Sequence, residues 1–281
     1  MRPKLRVLAA CGYLAAGLAV SSCGLPMGPL PGQATEAWTR SYPLQPGGRV
    51  ELINTNGRIE VEGADGSQVE VTADRLARAT TDSAAQDLLK RTSIKEDVTP
   101  GRIRIESQQL GGLLIGVSYE VRYHVRVPRG ATVQARNTNG LIRLASLAGA
   151  VDAQTTNGGV DGRHLTGAVE ARATNGGVRV DLDKVGSGRI SLGTTNGGVA
   201  LFLPKGAKAD IDASCTNGGI SVDVPLVSDE QSRRHVHGTL NGGGTAIELR
   251  TTNGGIRIQW TDGTSEAVES PLNKLDRLEG R

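Results

Sequence analysis

The tripeptide Thr-Asn-Gly occurs seven times in 281 residues, each time with an aliphatic residue three positions after the asparagine, and no other feature restricts the fold as tightly. The asparagines are Asn56, Asn139, Asn157, Asn175, Asn196, Asn217 and Asn253. From Asn139 to Asn217 the steps are 18, 18, 21 and 21 residues, the step to Asn253 is 36, twice 18, and 83 residues separate Asn56 from Asn139. A period near 20 residues is the mark of stacked supersecondary units.

Aligned on their asparagines, the units form columns. Six residues before the asparagine stand Val50, Val133, Val151, Val169, Ile190, Ile211 and Ile247, and four before stand Leu52, Ala135, Ala153, Ala171, Leu192, Ala213 and Leu249. The column between them is polar, with Glu51, Gln134, Asp152, Glu170, Ser191, Asp212 and Glu248, which is the alternation of a half-buried strand. Three past the asparagine every residue is Ile or Val, and two further on all are aliphatic except Gly162. Each unit reads as two short strands meeting at a Thr-Asn-Gly corner.

Asn-Gly between alternating apolar residues is also a strong hairpin signal, so a meander of hairpins competes. A meander gives no reason for the same residue type at the same offset in every unit. Stacking in parallel register, about 4.8 Å per coil, does. The expected fold is therefore all-β, a parallel β-solenoid over residues 49–261. Asn and Gly tolerate the backbone of a tight bend, and stacked asparagine amides can donate from each coil to the next, so the seven asparagines are expected to form a structural ladder.

The first 22 residues have a basic start (Arg2, Lys4, Arg6) and a short apolar stretch interrupted by glycine, a secretory leader and not a membrane span. Val20-Ser21-Ser22-Cys23 resembles a bacterial lipobox, which implies cleavage before Cys23 and lipid on that residue; Cys11 lies too near the basic start to serve. Gly24 follows the cysteine, which implies outer-membrane sorting in a Gram-negative cell, with plain secretion as the alternative. Residues 23–48, with five prolines, are expected as a lipidated tether, and residues 262–281 as a polar tail in which Leu272, Leu275 and Leu278 give at most a frayed helix.

Without the leader the chain keeps 29 Lys+Arg (32 minus 3) against 29 Asp+Glu, a formal balance of zero, and six aromatics. No basic block interleaved with aromatics suggests nucleic acid as a partner. Cys215 is the one cysteine left beyond Cys23, in a column of small residues two before the asparagine, and reads as a packed thiol.

Residues 75–128 interrupt the repeat. Asp82 to Thr92 reads as a short amphipathic helix, Val69–Thr72, Arg102–Glu106 and Tyr119–Val127 as strands, and the segment is expected to cap the open end of the stack. His235 and His237 are taken as part of a solvated loop, and Asn241 as a turn outside the columns. The repeat lacks the aspartate of calcium-binding nonapeptides, and its single uniform outward Thr column abuts the corner, which disfavours an ice-binding face.

The succession VELINTNGRIEVEG, DLLKRTSI, YEVRYHVRVPRGATV and GTLNGGGTAIELRTTNGGIRI resembles the bacterial Toastrack-type family, also called the putative adhesin family, over about residues 40 to 260. The resemblance implies a β-solenoid-like envelope domain without catalytic residues or cofactor. The expectation is a noncatalytic lipoprotein that binds or spaces at the envelope, with the membrane as partner through Cys23 and an envelope protein or surface glycan as ligand. Two other readings stay open: an envelope-stress signalling accessory, and a β-helix enzyme acting on polysaccharide. The enzyme would need clustered carboxylates, whereas the outward column four past the asparagine, Glu60, Arg143, Asp161, Arg179, Ala200, Ser221 and Arg257, is mixed in sign.

Overall fold

Two apolar columns on each side of the asparagine can be buried together only if the chain folds back across them at the corner. The computed structural model describes residues 30–108 and 116–261; the leader, Cys23 and the polar tail lie outside these. The first elements are β1 (Gly32–Pro43), β2 (Arg49–Asn56), β3 (Ile59–Ala64), β4 (Gln68–Ala79), α1 (Asp82–Arg91), β5 (Ile94–Thr99), β6 (Arg102–Ser107) and β7 (Ser118–Pro128). The repeats continue as β8 (Thr132–Asn139), β9 (Ile142–Ala145), β10 (Val151–Asn157), β11 (Val160–Leu165), β12 (Val169–Asn175), β13 (Val178–Leu182), β14 (Ile190–Asn196) and β15 (Val199–Leu203). The last are β16 (Ala209–Asn217), β17 (Ile220–Val222), β18 (Leu226–Gln231), β19 (His235–Leu240), β20 (Thr245–Asn253) and β21 (Ile256–Trp260).

These strands make two facing sheets. The entry sheet, whose repeat strands run into the corners, has the order β18-β19-β16-β20-β14-β12-β10-β8-β2-β6-β5, and the exit sheet β1-β4-β7-β3-β9-β11-β13-β15-β21-β17. All neighbouring repeat strands are parallel and in register: Val151 lies opposite Val133 and Val169, and Asn157 opposite Asn139 and Asn175. The 21-residue steps place their extra residues in the loops opposite the corner, such as 183–189, so the corner register is undisturbed.

Between the sheets the four apolar columns form one continuous core from Val50 to Ile258. Burying each Val, Leu or Ile contributes about 1.5–3 kcal/mol. The exception in the columns has a substitute: Leu165, fully buried after a bulge in β11, brings its Cδ1 within 2.8 Å of where a Cβ on Gly162 would sit. Leu165 thus fills the gap from the side.

Chain order and spatial order separate at both ends. β6 and β7 stack outside β2 and β3 as a further coil, although they come later in the chain. At the other end β20 and β21 do not follow β16 and β17; they lie between them and the coil of β14 and β15. The step of 36 residues is therefore not a skipped repeat. β19 pairs antiparallel with the outer edge of β16, and the chain crosses the start of β16 to reach its inner edge. Residues 241–244 make that crossing. Asn241 Nδ2 donates to Ala207 O at 2.8 Å and Gly244 N to Asp210 Oδ2 at 3.1 Å, while Gly243 has a φ of 80° and a Cβ there would lie 2.6 Å from the Asp210 carboxylate.

Several expectations need correction. The prolines at 31 and 43 bracket a strand: residues 32–43 of the expected tether are β1, paired along its whole length with β4. Residues 235–240, taken as loop, are β19. The excursion after Asn56 adds strands to both sheets, and Tyr42 on β1 donates a hydrogen bond to Glu96 on β5, joining the edge strand of one sheet to that of the other. Its helix spans Asp82–Arg91, with Thr81 as N-cap accepting from Ala84 N at 3.2 Å. The buried Arg75 guanidinium binds the helix C-terminus, donating to Leu89 O at 2.6 Å, to Thr92 O, to Thr92 Oγ1 at 3.0 Å and to Glu36 at 2.8 Å.

Candidate functional site

The corners stack into three parallel files. In the first, each asparagine Nδ2 donates to the Oδ1 of its neighbour: Asn139 to Asn56, Asn157 to Asn139, Asn175 to Asn157, Asn196 to Asn175, Asn253 to Asn196 and Asn217 to Asn253, all between 2.7 and 2.9 Å. The glycine after each asparagine lets the coils approach. A Cβ on Gly176 would meet Gly158 O at 2.0 Å, and the same conflict recurs at Gly140, Gly158, Gly197 and Gly254.

The second file, two residues before the asparagine, is the column that reads in the sequence only as small packed residues. Its side chains donate to the backbone carbonyl of the preceding coil's corner: Asn54 to Val121 O at 2.9 Å, Asn137 to Gly57 O at 2.7 Å, Thr155 to Gly140 O at 3.1 Å, Thr194 to Gly176 O at 2.7 Å and Thr251 to Gly197 O at 2.9 Å. The carbonyls of Gly57, Gly140, Gly176 and Gly197 lie in the bend itself, where these buried side chains do the work of a cap, whereas Val121 lies within β7. The signal was available, because Asn and Thr predominate in a column otherwise suited to apolar residues. Ala173 breaks the file, and Cys215 occupies its last place as a buried free thiol.

The third file faces outward, with Thr55 and Thr138 half-buried and the other five exposed. Thr55, Thr138, Thr156, Thr174, Thr195, Thr252 and Thr216 follow one another across the entry sheet beside the corners, along a shallow groove of about 780 Å³ over the first coils that continues as one of about 400 Å³ over the last. Both parts are lined by Arg172 and Thr195. Arg136 stands two residues from Thr138 on the far wall and is clamped by Asp152 through bonds of 2.7 and 2.8 Å. Burial pushes the Asp152 carboxyl up, but hydrogen bonds from Arg136, Gln134 and Gln154 outweigh it and hold the group below the usual carboxylate range.

The outer face of the exit sheet is a charge mosaic. Arg143 lies 3.0 Å from Glu60 and 3.8 Å from Asp161, Arg163 lies 3.1 Å from Asp161, and His124 Nδ1 lies 2.8 Å from Glu60. Opposite charges directly across parallel strands stabilise the pairing. The hydrogen bond to Glu60 raises the His124 imidazole above its ordinary range and the same bond lowers Glu60. Further along, the Arg179 guanidinium sits 4.1 Å over the Phe202 ring.

His235 and His237 stand on β19 facing Asp212 of β16, at 3.6 and 3.8 Å, and His235 also meets Glu230 at 3.3 Å. The bond to Glu230 raises the His235 imidazole. Among the described residues no group of three His, Cys, Asp or Glu side chains is placed to hold a metal ion. No helix among them is long and apolar enough to cross a membrane.

No curated protein matches this chain. Solved structures similar to it include a putative cell adhesion protein from Clostridium sporogenes, 11% identical, with 80% of this chain and 100% of that one covered at a TM-score of 0.43. A putative adhesin from Bacteroides fragilis is 13% identical, with 80% and 96% covered at a TM-score of 0.25. The family model described as Toastrack DUF4097 matches residues 48–259, a span that takes in all seven corners, and the chain belongs to that family.

Proposed function

We propose that this protein is a noncatalytic, adhesin-like module of the cell envelope, held to the membrane by lipid on Cys23, and that the groove beside the corners is its contact face. The observation that carries this reading is the outward-facing threonine file. Seven hydroxyls at one-coil spacing, each able to donate and accept, stand on strands held by the asparagine file at the corner and by the buried file of Asn54, Asn137, Thr155, Thr194 and Thr251 on the inner side. Such a surface is preorganised, so a ligand loses little to ordering the protein. The acidic groups nearest the groove are engaged with arginine, as Asp152 is with Arg136, which suits binding and leaves no free pair of carboxylates for acid–base work.

Retention of the full-length protein on isolated envelopes tests the contact face. Thr174→Trp, which fills the groove at its middle, should abolish retention, and undiminished retention would refute the assignment. Reproducible turnover of a polyuronate or peptidoglycan that a single acidic substitution removes would refute the noncatalytic reading. The anchor is tested separately: radiolabelled palmitate should enter the wild type and not Cys23→Ala.

A further inference from the structure

The outward residues three before each asparagine, taken in spatial order, are Ile53, Arg136, Gln154, Arg172, Gly193, Arg250 and Ser214. Arginine therefore stands on every second coil. In chain order Arg250 would come last, after Ser214, and the alternation would fail; insertion of β20 between β14 and β16 places it where the period requires. Two coil rises separate the backbone positions of successive arginines, roughly 9.6 Å. Arg136, Arg172 and Arg250 all line the groove bordered by the threonine file.

From this alternation we infer that the groove binds a linear polysaccharide bearing one carboxylate on every second sugar. The inference rests on the reading of the groove as the contact face and assigns its ligand. An extended glycan advances by a comparable length over two rings, so each uronate carboxylate meets a guanidinium while the sugar hydroxyls between them meet the threonines. An extended peptide does not keep step, since its side chains repeat on one face at about 6.7 Å, nor does duplex nucleic acid, with one phosphate on each strand per about 3.4 Å of helix axis.

The arginines are oriented by carboxylates from the neighbouring outward column, Asp152 for Arg136, Glu170 for Arg172 and Glu248 for Arg250. A guanidinium has five donors, and these contacts engage two on Arg136 and one each on Arg172 and Arg250, so donors remain for the ligand. The protein's own acids compete with the ligand's, which makes the binding modest in strength and weaker as salt rises.

The test uses full-length protein with fluorescently labelled hyaluronan, which has a carboxylate on alternate sugars, polygalacturonate, which has one on each, and dextran, which has none. Hyaluronan should bind most tightly. Affinity should fall about threefold to tenfold in Arg172→Gln and on the order of a hundredfold when Arg136→Gln and Arg250→Gln are added. A control with Arg122→Gln, Arg126→Gln and Arg129→Gln, away from the groove and equal in net charge, should bind within about twofold of the wild type. Should the triple groove variant fail to fold, the Arg172→Gln result alone decides. The proposal is overturned if the wild type does not bind hyaluronan, if the groove variants bind as tightly as the wild type, if both triple variants lose equally, or if dextran binds as well as hyaluronan. If Thr174→Trp abolishes envelope retention while the arginine variants keep it, the contact face stands and the ligand assignment falls.

Discussion

The central coils, with corners from Asn139 to Asn196, and the two ends of the stack are built from the same apolar columns but held in different ways. In the centre, chain order equals spatial order and each coil repeats its neighbour's contacts. At the ends a later segment is placed outside or inside an earlier one, and single-use contacts such as those of Arg75 and the 241–244 crossing keep it there. Identical columns decide that strands pair in register, but they leave open which coil pairs with which, because any Thr-Asn-Gly coil fits against any other. Connections and local contacts choose the order.

Central glycines should therefore be the least replaceable. Gly176→Ala would drive a Cβ into Gly158 O and should cost about 3 kcal/mol or more, read by chemical denaturation. Gly66, whose φ of 114° is also positive but whose Cβ would meet nothing within 4 Å, should cost only about 1–2 kcal/mol as alanine. Equal losses would mean that coil contact is not what the corner glycine provides. At the end of the stack, Arg75→Met takes the guanidinium donor from the Thr92 carbonyl, removes one of the donors to Leu89 O and unpairs Glu36, and should cost about 2–3 kcal/mol. Hydrogen exchange should show that loss first in α1 while β10 to β15 stay protected, and uniform loosening would contradict the division between centre and ends.

A gain is expected where the second file is interrupted. Ala173→Thr should place a hydroxyl against Gly158 O as Thr155 and Thr194 do with their own neighbours, and raise stability by about 0.5–1.5 kcal/mol. A loss would show that the position is too tight for the added atoms. The smallest effect concerns His124 and Glu60. The histidine is raised above its ordinary 6.5, so its contribution is complete below that pH and disappears as pH rises through the raised value. The glutamate is lowered from 4.5, so its contribution is present above that pH and disappears as pH falls through the lowered value. The pair is strongest between the two ordinary values. His124→Gln should narrow the fall in Tm between about pH 5.5 and about pH 8, and an unchanged fall would remove the pair from the account.

The apolar columns made the two sheets, their parallel register and the asparagine file legible, since each central strand buries alternate residues and shows it. The edge strands were opaque for the same reason. β1 exposes most of its residues and includes Trp38, Arg40 and Tyr42 between prolines, and β5 is exposed from Lys95 to Thr99, so neither displays the alternation that burial writes into a sequence. The groove was half legible. Its threonine column stood out at once, but the arginine period did not, because it exists only in spatial order and depends on where β20 inserts.

That insertion is tested most directly by disulfide trapping in a Cys215→Ala background. Neighbouring positions on adjacent coils lie within the span of a disulfide, about 4.4–6.8 Å between Cα atoms, whereas positions two coils apart do not. Thr195 adjoins Thr252, and Thr252 adjoins Thr216, by their strand registers. Oxidation should crosslink Thr195→Cys with Thr252→Cys, and Thr216→Cys with Thr252→Cys, and leave Thr195→Cys with Thr216→Cys unlinked. A crosslink between the last pair, with none to residue 252, would show the coils stacked in chain order and contradict the account.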